Sequence, residues 1–430
     1  MLQLTNLREL DLYIFSLLSS KDRSEICSVS LNFLDIALTT SKTLSKCSKY
    51  YETAYFINCF PRSYKEIKSV LRSGYHLLVR LKTLFPLKTV CKFNDTDIVH
   101  LMIKHGSKDL NAGLYAACSS GNIDIAKVII ETGIIQKFKF EWDNALNAAC
   151  YGGNMDIINL VITNNAINFN EGLYGACKGG HLNIIISILE MGANIFDRNY
   201  IFDLNTALNA ACAGNYSENI QFDIIKFLIN EGTDDWDEGL FGACFSGRVN
   251  LIDFMIEKGA NDLTYGLCGA CSGNKIDICN LLITKGEAEG YIFNWNEALD
   301  SSCEGGCIDT YKLMVEKGAT NFNEGLMSAC RYGHTDFINL IIDKAIYKKQ
   351  FIHFDAALDR ACGYDQIDVV ELLIIKAKIC NHEFKWNSYL KNADISFRML
   401  YANKARKYSK ELINIFQREA CLIENTHIHV

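Results

Sequence analysis

A cysteine recurs along this chain at near-constant intervals, and this period limits the possible folds more than any other feature of the sequence. The recurring residues are Cys59, Cys91, Cys118, Cys150, Cys177, Cys212, Cys244, Cys271, Cys303, Cys330 and Cys362, which are eleven of the 18 cysteines. Most successive intervals are 27 or 32 residues, as from Cys91 to Cys118 and from Cys118 to Cys150. We call these residues the anchor cysteines. A unit of about 30 residues forms one supersecondary motif that cannot bury an apolar face alone, so the units must stack.

The residues around each anchor also recur. Leucine stands four positions before the anchor in ten units, and the positions five, two and one before it are mainly Ala, Gly or Ser. This spacing places one apolar stripe along a short helix, and the small residues let neighbouring helices approach closely. A thiol in such a helix serves as a small apolar side chain. We therefore predict that the anchor cysteines are buried and form no disulfides.

Two further positions of the unit carry Asp or Asn. One lies seven residues before the anchor, as at Asp143 and Asn296, and the other lies six residues after it, as at Asp156 and Asp309. The side-chain oxygens of these residues accept hydrogen bonds from the free amides of a first helical turn, so both positions are predicted as helix N-caps. An apolar run follows the second position and commonly ends at glycine, which closes a last turn readily. Each unit is thus predicted as helix, turn, helix and loop.

Two classes of unit alternate along most of the chain. Units that follow a shorter loop read Gly-Leu and then an apolar residue, as at Tyr174 and Phe241. Units that follow a longer loop read Ala-Leu and then Asn or Asp, as at Asn147 and Asp300. The surface of the first helix is therefore predicted to alternate in character from one unit to the next.

The units resemble ankyrin repeats, whose pattern combines Leu, paired Ala, Gly-His, Leu-Leu and Gly-Ala positions. Residues 172–194 and 325–345 are the most similar. The first of these segments carries the motif at Leu173, Ala176, Gly180, His181, Leu189, Gly192 and Ala193. The resemblance covers about residues 50 to 395. It implies an all-α helix-turn-helix solenoid that binds other proteins.

The chain departs from the ankyrin pattern in three ways. No unit has the Thr-Pro pair, Cys replaces the second Ala, and the 27-residue units leave little length for the finger hairpin of the family. Short or absent fingers are therefore expected in alternate units. The Cys-rich and Pro-poor composition is similar to that of ankyrin proteins from giant DNA viruses that infect amoebae. That similarity implies a host–virus interaction and a location in the host cytoplasm.

The first residues of the chain follow a different pattern. Two apolar stripes at helical spacing, separated by polar residues, predict a helical hairpin or small bundle over residues 7–37. This segment resembles an F-box, the helical module that docks on the Skp1 adaptor of cullin-type ubiquitin ligases. The matching positions are Glu9, Leu10, Ile14, Phe15, Leu18, Val29, Ser30 and Phe33. A plain cap that shields the first repeat is the alternative.

Three domains are predicted from these patterns. Residues 1–48 form the F-box-like helical module, residues 49–400 the ankyrin-like repeat array, and residues 401–430 a C-terminal capping helix and tail. Within the last domain, residues 407–423 are typical of an amphipathic helix that covers the end of a stack. The F-box resemblance implies that Leu10, Ile14 and Leu18 form an apolar ridge that binds a Skp1-like protein.

No group of residues in the sequence has the pattern of an active site. Cys268 and Cys271 form a CxxC, but Cys271 is an anchor and no second pair lies at zinc spacing, so we interpret the pair as structural. His181 and His334 occupy the turn position of the ankyrin pattern and are interpreted as turn hydrogen-bonding residues. A glycine-rich phosphate loop is absent from the sequence. The chain is therefore predicted to be no enzyme and to bind no cofactor or metal.

The composition favours an intracellular protein-binding role. A net charge of -7 argues against a broad nucleic-acid surface. No apolar run approaches the roughly 18 residues of a membrane span. Arg8 and Glu9 lie where a secretory signal would have its apolar stretch, so we expect no export and reduced thiols.

The residue directly after the anchor is predicted to contact a bound target protein. The repeat fixes this position at the exposed end of the first helix, while its residue type varies in charge and size. The predicted target contacts are Tyr151, Lys178, Phe245, Glu304 and Arg331. We predict a substrate adaptor that links a target held by the repeats to a Skp1/cullin-type ubiquitin ligase. The alternative is a non-enzymatic scaffold or blocking protein with no ligase link.

Overall fold

The computed structural model describes residues 87–92, 96–104, 107, 109–196, 199–364 and 366–384. Every regular element in this part of the chain is a helix and none is a strand, which confirms the predicted all-α helix-turn-helix fold. The chain divides into two compact units, Met1–Phe140 and Glu141–Val430. The predicted N-terminal module with Leu10, Ile14 and Leu18, and the predicted capping helix at 407–423, lie outside the described residues.

The described part of the first unit consists of two helix pairs. Its helices are α1 (Leu87–Val90), α2 (Thr96–Lys104), α3 (Leu110–Ser119) and α4 (Ile123–Ile135). Cys91 directly follows α1 and Cys118 lies in α3, and both thiols are fully buried. The α1 and α3 helices pack on each other, as do α2 and α4. The Asn122 side chain joins the two pairs by donating from Nδ2 to the Cys91 carbonyl oxygen over 3.0 Å.

The second unit repeats the same pair along its described length. Its anchor helices, which contain the anchor cysteines, are α5 (Trp142–Gly152), α7 (Phe169–Gly179), α9 (Leu204–Ala213), α11 (Trp236–Ser246), α13 (Leu263–Ser272), α15 (Trp295–Gly305), α17 (Phe322–Tyr332) and α19 (Phe354–Gly363). Its second helices are α6 (Met155–Thr163), α8 (Leu182–Ile195), α10 (Glu218–Glu231), α12 (Val249–Lys258), α14 (Ile276–Ala288), α16 (Ile308–Lys317), α18 (Thr335–Tyr347) and α20 (Ile367–Ile379). Each anchor helix packs on the next anchor helix and on its own second helix.

The anchor thiols form the centre of this packing. All anchor cysteines from Cys91 to Cys362 are buried, and none of them forms a disulfide. The leucine four positions before each anchor is buried as well, from Leu87 to Leu358. The prediction of buried anchor cysteines without disulfides is confirmed for these described repeats.

Glycine lets consecutive anchor helices touch at their backbones. A Cβ atom added to Gly175 would lie 2.1 Å from the Asn147 carbonyl oxygen. The corresponding distance from Gly242 to the Asn209 carbonyl oxygen is 2.2 Å. Real Cβ atoms do not approach carbonyl oxygens so closely, so any larger residue would push these helices apart. The small residues two positions before the anchor are therefore a packing requirement.

The N-caps of the anchor helices lie two residues earlier than the sequence analysis predicted. Asp109, Asn168 and Asp203 stand nine positions before their anchors and accept from first-turn amides. The residue seven positions before the anchor is already inside the helix, and its side chain bonds forward to the loop that enters the next repeat. Asp237 Oδ1 accepts from the Asn261 and Asp262 backbone amides over 2.8 and 2.9 Å. In this array these side chains do not cap their own helices but join successive repeats.

The second helices differ from their predicted start in the same way. Their N-cap lies four or five residues after the anchor, as at Asn154, whose side chain accepts from two first-turn amides. Asp156, which was predicted as the cap, lies in the first turn of α6. The capping prediction for this position is wrong. The carboxylate instead stands near the positive end of the helix dipole, which it stabilises.

The length of the second helix varies along the second unit and does not follow the two classes of unit. Helices α12 and α16 have 10 residues each, whereas α14 and α18, which precede the longer loops, have 13. The added chain length thus extends a helix and builds no strand in the described residues. This agrees with the expectation that finger hairpins are short or absent.

Candidate functional site

The residues directly after the anchors form one row on the second unit. Tyr151 and Phe245 keep 45% and 37% of their surface exposed, although the cysteine before each is fully buried. Glu304 and Arg331 are exposed, and Lys178 is half-buried. We call these five residues the post-anchor row. The row is the place on each anchor helix where a side chain leaves the packed interior.

Lys178 is less exposed than its neighbours because it lies along a tyrosine. Its ammonium group is 5.4 Å from the centre of the Tyr174 ring and 3.4 Å from the Tyr174 hydroxyl. Tyr174 stands one helical turn before Lys178, so the two side chains meet on the same face of α7. The alkyl chain of the lysine covers the ring while its charge stays accessible to solvent.

A cluster of four polar and aromatic side chains surrounds the C-terminal end of the row. The Arg331 guanidinium lies 5.3 Å from the centre of the Tyr332 ring and 4.7 Å from that of Tyr364. The Tyr332 hydroxyl donates a hydrogen bond to the Glu304 carboxylate. We call Glu304, Arg331, Tyr332 and Tyr364 the tyrosine cluster. Its members come from three successive anchor-helix segments, so the stacking of repeats assembles it.

The hydroxyl of Tyr332 stays protonated well above neutral pH. Partial burial, and then the hydrogen bond to the Glu304 carboxylate, raise the pKa of Tyr332 to about 12. Tyr332 therefore remains a hydrogen-bond donor, and Glu304 remains its acceptor. The side chain of Arg331 makes no hydrogen bond or ion pair with the described residues. A hydrogen bond from a described side chain reaches the backbone carbonyl oxygen of Arg331 instead. Its positive charge is thus available to a partner.

Sequence reasoning found Glu304 and Arg331 but missed the two tyrosines. Tyr332 and Tyr364 stand two positions after their anchors, where Gly152, Gly179, Gly273 and Gly305 are found in other repeats. The exposed fractions of the two tyrosine side chains are 42% and 39%. A large aromatic residue at a position that is otherwise mostly glycine was the signal that could have found them.

The histidines of the repeat turns bond to the preceding repeat. His181 Nε2 lies 3.1 Å from the Tyr151 carbonyl oxygen, and His334 Nε2 lies 2.8 Å from that of Glu304. Arg248 donates to the Tyr216 carbonyl oxygen over 2.7 Å from the same turn position. These bonds support the interpretation of both histidines as turn residues. They also fix the backbone beneath the post-anchor row.

The cysteines of the CxxC are buried in the packing between helices. Cys268 and Cys271 are 6% and 0% exposed, and the Cys271 sulfur atom lies 3.8 Å from that of Cys279. Burial raises the pKa of Cys268 to about 12. Thiols of this kind are poor nucleophiles because the thiolate is the reactive form. No group of three or more His, Cys, Asp or Glu side chains suited to a metal ion occurs in the part of the chain that the structure describes.

Comparison with known proteins gives independent support for the helical repeat pattern. Residues 87–172 match the family model of ankyrin repeats (3 copies). A comparison with curated proteins finds no match. The ankyrin repeats indicate a protein–protein interaction module, a class that is in general non-enzymatic. Among the helices of the described residues, none is both long and apolar enough to cross a membrane.

Proposed function

We propose that the post-anchor row is the surface on which this chain binds a target protein. One observation carries the proposal: the anchor position is always a buried cysteine, whereas the next position is solvent-accessible and differs in every repeat of the row. The row contains aromatic, basic and acidic side chains. Aromatic and arginine side chains dominate the binding energy of many protein interfaces. Tyr151, Phe245 and Arg331 are therefore the expected main contacts.

The adaptor role is the finer part of the proposal. In it, Leu10, Ile14 and Leu18 bind a Skp1-like protein while the repeats hold a target for ubiquitin transfer. Its support is the F-box resemblance of residues 7–37 together with a repeat surface suited to a second protein. The alternative is a scaffold or blocking protein, in which the repeats bind the target and no ligase is recruited. Both roles require no cofactor, nucleic acid or membrane, and both fit an intracellular protein.

Alanine substitutions test the target surface. We expect Tyr151→Ala and Phe245→Ala to weaken binding of proteins that co-purify with the full chain, with each substitution changing the free energy of unfolding by less than about 0.5 kcal/mol. Lys226→Ala and Glu257→Ala are matched controls, because both residues are exposed on second helices of the same unit. Equal losses of binding in the row variants and the controls would contradict the proposal.

A double substitution separates the adaptor from the scaffold. If Leu10, Ile14 and Leu18 bind a Skp1-like protein, Ile14→Asp with Leu18→Asp abolishes its pull-down and leaves the thermal unfolding of the repeats unchanged, because repeat stacks are stabilised mainly by nearest neighbours. If these residues cap the first repeat, two unpaired carboxylates destabilise the adjoining repeats by several kcal/mol. Absence of Skp1 association in the parent protein would leave the scaffold role.

A further inference from the structure

The tyrosine cluster places one arginine between two rings, and the guanidinium makes no hydrogen bond with the residues that the structure describes. Arg331 lies 5.3 Å from the Tyr332 ring centre and 4.7 Å from the Tyr364 ring centre. Two aromatic contacts restrict a side chain that otherwise loses considerable rotamer freedom when it binds. Such prior ordering lowers the entropic cost of forming a contact with a partner. The guanidinium is therefore better prepared for binding than an isolated surface arginine.

Glu304, on the preceding repeat, is an acid that could neutralise Arg331, but its carboxylate accepts a hydrogen bond from Tyr332. The Tyr332 hydroxyl donates to Glu304 Oε1, and no ion pair joins Glu304 to Arg331 in the described residues. This hydrogen bond engages the Glu304 carboxylate with the next repeat. The cluster thus separates an acid from a base that stand on adjacent repeats. It leaves the base free to pair with a group from outside.

We propose that the tyrosine cluster binds a single Asp or Glu side chain of the target protein, through a two-pronged ion pair with Arg331. The planar guanidinium fork matches the two oxygens of a carboxylate. The exposed faces of Tyr332 and Tyr364 accept apolar residues that flank this acid in the target. The inference rests on the proposed target-binding function and names the chemistry of one contact within it.

The charges around Arg331 favour a carboxylate over a phosphate. Asp300 and Glu304 lie on α15, and Asp359 lies on α19, the two anchor helices that flank Arg331. A phosphate group carries nearly two negative charges at neutral pH and would be repelled by these acids. Arg360 is the arginine of α19 and makes no ring contact in the described residues. A single negative charge between apolar neighbours therefore fits the surface best, and a run of acidic residues does not.

Labelled peptides test this assignment on the full chain. The probes are fluorescein-labelled peptides that are identical except at one central position, where leucines flank Glu, Gln, Lys or phosphoserine, and binding is followed by fluorescence anisotropy. We expect the Glu peptide to bind about tenfold more tightly than the Gln peptide, as a charge-assisted pair predicts. Arg331→Ala should remove this preference. Arg331→Lys should restore only part of it, because lysine keeps the charge but lacks the planar fork.

Arg360→Ala is the matched control, since it removes an exposed arginine from a neighbouring anchor helix. It should leave the Glu preference within about twofold of the parent value, as expected for a charge outside the contact. Tightest binding of the Lys or phosphoserine peptide would overturn the inference, as would a Glu preference that survives Arg331→Ala. Circular dichroism confirms that each variant is folded.

Failure of this inference is distinguishable from failure of the proposed function. If Tyr151→Ala and Phe245→Ala weaken binding of the co-purified target but Arg331→Ala does not, the target surface stands and the carboxylate contact is wrong. If none of the three substitutions affects the target, the post-anchor row itself is wrong and the carboxylate contact with it.

Discussion

The anchor helices of the second unit pack in two different ways. From α5 to α13, glycines such as Gly175, Gly242 and Gly269 bring consecutive helices into backbone contact. From α15 to α19, the equivalent position two residues before the anchor holds Ser301, Ser328 or Arg360. We call the first region the glycine segment and the second the tyrosine segment, because the latter contains the tyrosine cluster.

The difference shows where large side chains can project from the surface of a repeat. In the glycine segment, Gly179 and Gly273 also stand two positions after the anchor, where an added Cβ would lie 2.4 Å and 2.2 Å from a carbonyl oxygen of the previous repeat. Those sites can hold no side chain. In the tyrosine segment, Tyr332 and Tyr364 occupy the same position and project rings that hold Arg331. An added Cβ on Gly305 of α15 would still lie 2.5 Å from the Ser272 carbonyl oxygen, so the room for a ring at this position begins at α17.

Alkaline pH should have the largest effect, and it should not distinguish the two segments. Burial raises the pKa of Cys330 to about 12, and burial raises the pKa of Cys244 further. The folded state therefore holds these protons more tightly than the unfolded state, whose thiols titrate near pH 8.5. Their stabilising contribution is complete below about pH 8.5 and falls as the pH rises toward the folded values. At pH 10 the loss is about 2 kcal/mol for each buried thiol.

Urea unfolding under reducing conditions at pH 7.5 and pH 10 measures this loss. Cys330→Ala should reduce the difference between the two pH values by the contribution of one thiol. Equal unfolding midpoints at the two pH values would contradict the burial of the anchor thiols.

A single methyl group should separate the segments most clearly. Gly242→Ala places a Cβ atom 2.2 Å from the Asn209 carbonyl oxygen, so we expect a loss of about 3 kcal/mol in the free energy of unfolding. Gly363→Ala in α19 meets nothing within 4 Å and should raise it by about 0.5 kcal/mol through better helix propensity. Denaturant unfolding of both variants compares the two effects. Similar values for both would show that the segments pack alike.

The side chains that join successive repeats should act equally in both segments. Asp237 accepts from two backbone amides of the next loop, and Asn296 does the same for Thr320 and Asn321 over 2.8 and 3.0 Å. Without either acceptor, two backbone amides must form hydrogen bonds with water instead. Asp237→Ala and Asn296→Ala should therefore each lower the free energy of unfolding by about 1 to 2 kcal/mol. Thermal unfolding of the two variants tests this. A loss confined to Asp237→Ala would make these bonds a feature of the glycine segment alone.

The smallest expected change in stability belongs to the tyrosine cluster. Tyr364→Leu removes one ring from Arg331, and both side chains are exposed, so the free energy of unfolding should change by less than about 0.5 kcal/mol. The same variant should lose part of the binding that Arg331 provides, because the guanidinium is less restricted. A large fall in stability would show that the cluster holds the repeats together and is not reserved for binding.

The repeat pattern predicted the fold well because each prediction rested on many equivalent positions. The burial of Leu173 and Cys177 and the alternation of helices follow from a period seen throughout the chain. The N-caps were misplaced for a physical reason. Asp and Asn oxygens can accept hydrogen bonds from amides of their own helix or of the next loop. The sequence does not show that the Asp237 side chain lies closer to the Asn261 and Asp262 amides than to those of its own first turn.

The candidate site was predictable in part. Aligning the repeats on their anchor cysteines identified Glu304 and Arg331, because both occupy a position that varies between repeats. The hydrogen bond from Tyr332 to Glu304 and the contacts of Arg331 with both tyrosine rings depend on how adjacent repeats pack. A sequence period gives each position its place in a repeat but does not give the distance between side chains of different repeats.

The alternating length of the second helices has a consequence for how this chain can change over generations. Three additional residues make α14 and α18 about 4.5 Å longer than α12 and α16 at the usual helical rise. Between α12 and α18, a duplication or deletion of one repeat would place two long or two short helices in succession, an arrangement that α8 and α10, with 14 residues each, show elsewhere in the array. Recombination that moves two repeats together, such as the 59 residues from Cys271 to Cys330, keeps the alternation intact. From α12 to α18, the heritable building block is therefore expected to be a pair of repeats.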